Sequence, residues 1–280
     1  MGTMKRIRKK LAGMTCVYCA TAPAVTMDHV FARSFFAQTQ RGNLPQVPAC
    51  DACNNEKAIL EHYLATVLLF GGRHPDASRW LVEMGERRLA QNEKIRRDLA
   101  ASMRYTKIKD AAGLESEVMT LDFDGSRLER LFAFIVRGLA WVHWQVLFDE
   151  RHAVSVVSLT SVAQQFVTPQ FDLRARDRAS GNLGNGTFVY EGAQGVNYPE
   201  LSLWRFGVYG NAQVSGDISE PNEQSLGLFA FTARKEFLES DTFSTRVPAL
   251  IPPTPQQDAA AFNYLHSGLI SPERQSSHQR

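Results

Sequence analysis

The sequence predicts an α+β protein: a small zinc-bound module near the N-terminus, then a helical connector and a mixed α+β C-terminal domain. Three observations lead there. All four cysteines fall in two CxxC pairs, Cys16/Cys19 and Cys50/Cys53. The run SRLERLFAFIVRGLAWVHWQVLF, residues 126–148, is apolar at helical spacing. Beyond it, AVSVVSL, GTFVYEG, LSLWRFGVYG and LGLFAFTA read as strands of a mixed sheet, separated by Gly/Asn-rich connections such as SGNLGNG.

A chain of 280 residues, 44% hydrophobic and 21% charged, has enough length and apolar content for a medium domain plus a smaller module. No run approaches the roughly 18 apolar residues that span a bilayer, and the basic start MKRIRKK lacks a following apolar signal segment. The expected location is cytoplasmic, without membrane partners, and in a reducing compartment the cysteines call for metal rather than disulfides. The net charge of +2 implies no partner, but basic residues cluster at Lys5–Lys10 and again among Arg87, Arg88, Lys94, Arg96, Arg97, Arg104, Lys107 and Lys109. Such clusters suit phosphate contacts and equally suit a solvated helix face.

Residues 12–72 form the module. Within it, PACDACNNEKAILEHYLATVLLF passes from a cysteine pair to helical spacing of Ile59, Leu60, Tyr63, Leu64, Val67 and Leu68, so a helix is expected to start just after Cys53. Residues 73–112 read as the connector, one long polar helix from an N-cap at Asp76 with Trp80, Leu81, Met84, Leu89 and Ile95 as its apolar stripe. EVMTLDFDG suggests a strand and turn opening the C-terminal domain, residues 113–250. The Pro/Gln/Ser-rich tail, residues 251–280, reads as flexible.

Four thiolates can close a tetrahedral zinc site, which leaves no position for water and is therefore structural. Zinc binding of about 10–16 kcal/mol could hold together a module too small to fold alone. Chemistry must then come from the roughly 30-residue insert between the pairs and from the residues just after it.

That insert, TMDHVFARSFFAQTQRGNLPQVPACDACNNEK, has the order CxxC, Asp-His, Asn-Leu, CxxC-Asn, Lys. In this it resembles the cysteine-containing branch of the HNH endonuclease family, over about residues 14–60. The resemblance implies a ββα-metal fold, a hairpin followed by a helix, and a metal-dependent hydrolase of phosphodiester bonds. His29 is then the general base, with a reference pKa of about 6.5 suited to taking a proton from water. Asp28 and Asn54 hold a catalytic Mg²⁺ or Mn²⁺ through oxygens. Asn43 ties the loop that orients the base. Lys57, with Arg33 and Arg41, is expected to contact phosphate, helped by the helix N-terminus. The family often has histidine where Asn54 stands; His62, further along the helix, is read as an ordinary helix residue.

The implied partner is DNA, with RNA open, and cutting both strands at one place suggests a homodimer of C₂ symmetry. Restriction or phage defence is the expected setting. The alternative is a non-catalytic zinc-stabilised module that binds nucleic acid or protein; it leaves the joint occurrence of Asp28, His29, Asn43 and Asn54 without a reason. Elsewhere, Trp141, His143 and Trp144 read as core aromatics, and SGNLGNG lacks the Gly-Lys-Ser/Thr ending of a phosphate-binding loop.

Overall fold

The hairpin that the resemblance implies exists. In the computed structural model, which describes residues 11–72, 74–109, 115–159, 161–173, 175–210, 214–215, 224–225, 228–237 and 249–250, β1 (Thr26–His29) pairs antiparallel with β2 (Gln46–Ala49), Asp28 opposite Val47 and His29 opposite Gln46. Pro48, with no N–H to donate, is tolerated at the edge of this two-stranded pair, where its carbonyl accepts from Val17 N at 2.9 Å. Helix α1 (Asp51–Val67) follows at once. It begins earlier than the sequence suggests: Cys50, in extended conformation, is the N-cap, and its sulfur accepts from the Cys53 N–H. The second cysteine pair is thus the helix start itself.

The expected connector helix is broken. It consists of α2 (Pro75–Trp80), a π-helical turn (Leu81–Gly85), α3 (Glu86–Gln91) and α4 (Glu93–Ser102). Asn92 leaves helical geometry (φ −135°, ψ 76°), and its side chain caps the next segment by accepting from Ile95 N at 3.2 Å. A residue that competes for its own backbone ends one helix and starts another. Trp80, Leu81, Leu89 and Ile95 are buried, as their spacing predicts. The chain then forms an antiparallel hairpin, β3 (Arg104–Lys109) with β4 (Glu115–Asp122), and β4 also pairs with a two-residue segment at 249–250.

Helix α5 (Gly125–Trp144) is the apolar run of the sequence, capped by the Asp124 carboxylate on Ser126 N and Arg127 N and closed by Gln145 in the left-handed region (φ 55°). One side of α5 meets α1 and β2; another meets a five-stranded sheet. That sheet comprises β5 (His152–Ser158), β6 (Ala175–Leu183), β7 (Phe188–Gly195), β8 (Ser202–Val208) and β9 (Leu228–Arg234), in the order β5-β9-β8-β7-β6. Every pairing in it is antiparallel, so the sheet is not mixed. Strand β8 shows the period of two that a one-sided core demands: Ser202, Trp204, Phe206 and Val208 point inward. Strand β3, inside the stretch read as the helical connector, escaped the sequence reading, as did two features of the C-terminal part. Ser180–Leu183 of SGNLGNG belongs to β6, with the turn beginning only at Gly184. Helix α6 (Ser161–Leu173), which carries Pro169, packs on the outer face, where Val157, Phe171, Ala193 and Phe229 form a small cluster.

The main core is continuous from the cysteines to the sheet. Phe31, Phe35 and Phe36, from the loop after β1, all approach the Phe188 ring, whose centroid lies 5.0–5.8 Å away. Phe132 of α5 meets Phe206 edge-on at 5.0 Å, Tyr18 meets Phe134 at 5.0 Å, and Trp144 meets Trp204 at 4.8 Å. The module of residues 12–72 therefore shares its apolar interior with the C-terminal elements. The N-terminal basic residues Lys5–Lys10 and the tail 251–280 lie outside the described residues. Among the described residues no helix is long and apolar enough to cross a membrane.

Gly138 of α5 packs against Val30, the residue just after β1: an added Cβ would lie 2.8 and 3.0 Å from the two γ-carbons of Val30. Alanine normally gains about 1 kcal/mol over glycine inside a helix. Here overpacking should outweigh that gain, so Gly138→Ala is expected to cost a net 1–2 kcal/mol or so in thermal or denaturant unfolding. Combined with Val30→Ala, it should cost less than the sum of the two single changes.

Candidate functional site

The loop before β1 and the first turn of α1 bring Cys16, Cys19, Cys50 and Cys53 together with all four sulfurs within 4.8 Å of one another. A tetrahedral zinc with Zn–S bonds of about 2.3 Å requires sulfurs about 3.8 Å apart, so the arrangement fits. Its local chemistry fits too. Ala22 N donates to Cys19 Sγ and Cys53 N to Cys50 Sγ, each at 3.5 Å, and the N-terminus of α1 directs its partial positive charge at the second pair. Burial raises the Cys53 thiol, as do its hydrogen bond with Cys50 and the charges of the other cysteines; burial also raises Cys16. Burial acts the same way on Cys19, but hydrogen bonds from Thr21, Ala22 and Cys16 overcome it and bring the thiol down to about 6. Sulfurs that oppose one another's ionisation are those a divalent cation relieves. These four cysteines can hold a metal such as zinc.

Asp28 and His29 end β1. Their side chains leave opposite faces, as neighbours on a strand must, and Asp28 faces α1. Its Oδ2 accepts a hydrogen bond from the Tyr18 hydroxyl at 2.7 Å and an ion pair from Lys57 Nζ at 3.0 Å; Oδ1 takes part in neither contact. Lys57 is only 1% exposed. Its ammonium also donates to His29 O at 2.7 Å and to Glu61, one turn further along α1. This corrects an expectation: Lys57 lies inside the protein and anchors β1, so it is not a surface contact for phosphate. A buried ammonium without partners would cost several kcal/mol, and its three hydrogens have three acceptors nearby.

Asn54 is half-buried, three residues before Lys57 and seven before Glu61, which puts it on the same face of α1. It is not the cap; its N–H makes the first helical bond, to Cys50 O at 3.0 Å. The His29 ring turns the other way, toward Gln46, its cross-strand partner. The amide nitrogen of Gln46 donates to Nε2 at 2.8 Å, which leaves the ring proton on Nδ1. Burial lowers the pKa of His29, Arg33 and Lys57 lower it further, and Asp28 works against them. The imidazole is therefore neutral at pH 7.

Arg33 is exposed and close enough to bear on His29. Arg41 is half-buried and donates through Nε to Phe36 O at 3.1 Å, closing the loop. Asn43 is exposed and left-handed (φ 57°), a conformation asparagine tolerates, so it serves the turn before β2. The second basic cluster is partly structural: Arg88 donates to Ala65 O and Ser34 O, Arg104 pairs with Asp122, and Arg96 lies 3.9 Å from Glu93. His62 is exposed on another side of α1. His143 is exposed and hydrogen-bonds Tyr190, and Trp144 is half-buried and packs on Trp204, so these aromatics edge the core instead of filling it. Tyr18, Gln46 and Glu61 were not legible as site residues, because nothing local links them to Asp28 or His29.

In comparisons with family models, curated proteins and solved structures, none matches the chain.

Purified protein is expected to carry one equivalent of zinc, measured by elemental analysis. Cys16→Ser and Cys53→Ser should each lose it and lower the unfolding temperature, since metal binding and folding are coupled here.

Proposed function

We propose that the protein is a metal-dependent HNH endonuclease acting on DNA, with His29 as general base. What carries this reading is the docking of β1 on α1. The Asp28–Lys57 ion pair at 3.0 Å sets the Asp-His dipeptide across the helix face that also bears Asn54, and the cysteine cluster joins the two elements at one end. A hairpin and a helix in this order, β1, β2, α1, are what the ββα-metal arrangement requires.

Asp28, through Oδ1, and Asn54, through its side-chain oxygen, would hold Mg²⁺ or Mn²⁺; both are hard donors. The chemistry supplied there is neutralisation of charge on the scissile phosphate and the departing oxygen. His29, neutral at pH 7, takes the proton of the attacking water. For that the exposed Gln46 amide must yield the Nε2 lone pair, which a long side chain at a strand end can do. Arg33 supplies the phosphate contact, in place of Lys57. The cysteine-bound zinc is structural on this reading, and two chains would be needed to cut both strands in one encounter.

A non-catalytic zinc-stabilised binding module is the second reading, and one observation favours it: Asp28 Oδ2 is already satisfied by Tyr18 and Lys57. Supercoiled plasmid separates the two. The nuclease reading expects Mg²⁺- or Mn²⁺-dependent nicking that falls about 10²–10⁴-fold in His29→Ala, with zinc content unchanged. Cleavage that survives in His29→Ala, or none in wild type over a panel of duplex, methylated, branched and single-stranded DNA and RNA, would sink it.

Arg33→Ala should weaken substrate binding and flatten its salt dependence by about one phosphate contact, measured as the slope of log affinity against log salt.

A further inference from the structure

We propose that Tyr18 and Glu61 are positioning residues for divalent-cation binding at Asp28: the Tyr18 hydroxyl fixes the carboxylate from the cysteine knuckle, and Glu61 shares the ammonium of Lys57. This rests on the reading of Asp28 as the ligand of a catalytic metal.

Tyr18 stands between Cys16 and Cys19, so the geometry of the cysteine cluster determines where its hydroxyl lies. The residue is buried, its ring held edge-on by Phe134 of α5, with Lys57 Nζ 5.8 Å from its centroid. From there the hydroxyl donates to Asp28 Oδ2 at 2.7 Å. Tyr18 and Lys57 approach the same oxygen, and two directed contacts on one oxygen fix the plane of the carboxylate and the direction in which Oδ1 points. The side chain of Asp28 is 14% exposed, and neither of these two contacts uses Oδ1.

An ammonium 3.0 Å from a metal-binding carboxylate would oppose a divalent cation if it stood alone. Glu61 prevents that. Its carboxylate also contacts Lys57 and is 15% exposed, so the ionised trio of Asp28, Lys57 and Glu61 carries a net charge of −1. Without the Glu61 charge the trio is neutral, and its attraction for a cation falls. The network makes the cysteine cluster a condition for the second site, through one phenol rather than through the fold as a whole.

Tyr18→Phe deletes only the hydroxyl, and Glu61→Gln only the charge. Mn²⁺ binding to the zinc-loaded full chain can be followed by electron paramagnetic resonance, which reads the site without turnover; Asp28→Asn is the reference for loss of the ligand. Both variants should retain one zinc and the wild-type unfolding temperature within a few degrees, while their Mn²⁺ dissociation constants rise about 10–100-fold. In plasmid nicking, saturating Mn²⁺ should restore most of the Tyr18→Phe rate, which a general structural defect would not permit. Wild-type Mn²⁺ affinity in both variants, with wild type active and Asp28→Asn impaired, overturns the positioning roles and leaves the nuclease reading intact. A wild-type protein that neither binds Mn²⁺ at Asp28 nor cleaves overturns both.

Discussion

A lysine ammonium cannot be taken out of water without acceptors, and Lys57 is buried to 1%. The acceptors it finds are the Asp28 carboxylate, the His29 carbonyl and the Glu61 carboxylate, two from the hairpin and one from its own helix. This requirement fixes the hairpin against α1 more narrowly than apolar contact could, because the ammonium needs directed partners and the wrong register would leave a charge unpaired. Asp28 must then face the helix. His29, next along the strand, must face away from it, toward Gln46 and the exposed Arg33.

The cysteines constrain the same pair of elements from the other end. Cys50 caps α1 and Cys53 lies in its first turn, so the positive end of the helix is spent on thiolates. Beneath both constraints lies α5. Its Gly138 admits Val30, Phe134 carries the Tyr18 ring, and Phe132 continues the aromatic packing to Phe206 in the sheet. Because this interior is shared, the module of residues 12–72 does not depend on metal alone. The C-terminal sheet supplies one wall of its core, a role that needs no chemistry of its own.

Local signals made part of this legible. The CxxC pairs announced a clustered set of sulfurs, the period of the apolar residues located α1 and α5, and strand-like apolar runs between Gly/Asn-rich connections located β5, β7, β8 and β9. Where the reading failed, the deciding physics was not local. Lys57 looks like any lysine in the first turns of a helix until β1 arrives with a carboxylate. Asn92 sits in a good amphipathic pattern, and the choice between continuing and recapping rests on one side-chain hydrogen bond. The Gly/Asn content of SGNLGNG hid the end of β6, whose Gly181 is required by the Tyr190 ring, 2.4 Å from where a Cβ would be. Helix α6, which carries Pro169, covers the outer face of the sheet and was not among the elements the sequence marked.

These placements bear on how a phosphate could be met. Of the positive features the sequence offered near the Asp-His pair, the fold commits Lys57 to Asp28 and Glu61, the N-terminus of α1 to the cysteines and Arg41 to the Phe36 carbonyl. Of the cations near His29, Arg33 is the exposed one, and its side chain extends from the loop on which Phe31, Phe35 and Phe36 are fixed in the core. A substrate approaching from that side would reach the His29 ring before Asp28, with the Gln46 amide between solvent and the lone pair at Nε2. On the nuclease reading, phosphate would meet Arg33, and the Gln46 amide would have to leave Nε2 before the imidazole could act as a base. The same arrangement keeps the lone pair hydrogen-bonded while no substrate is present.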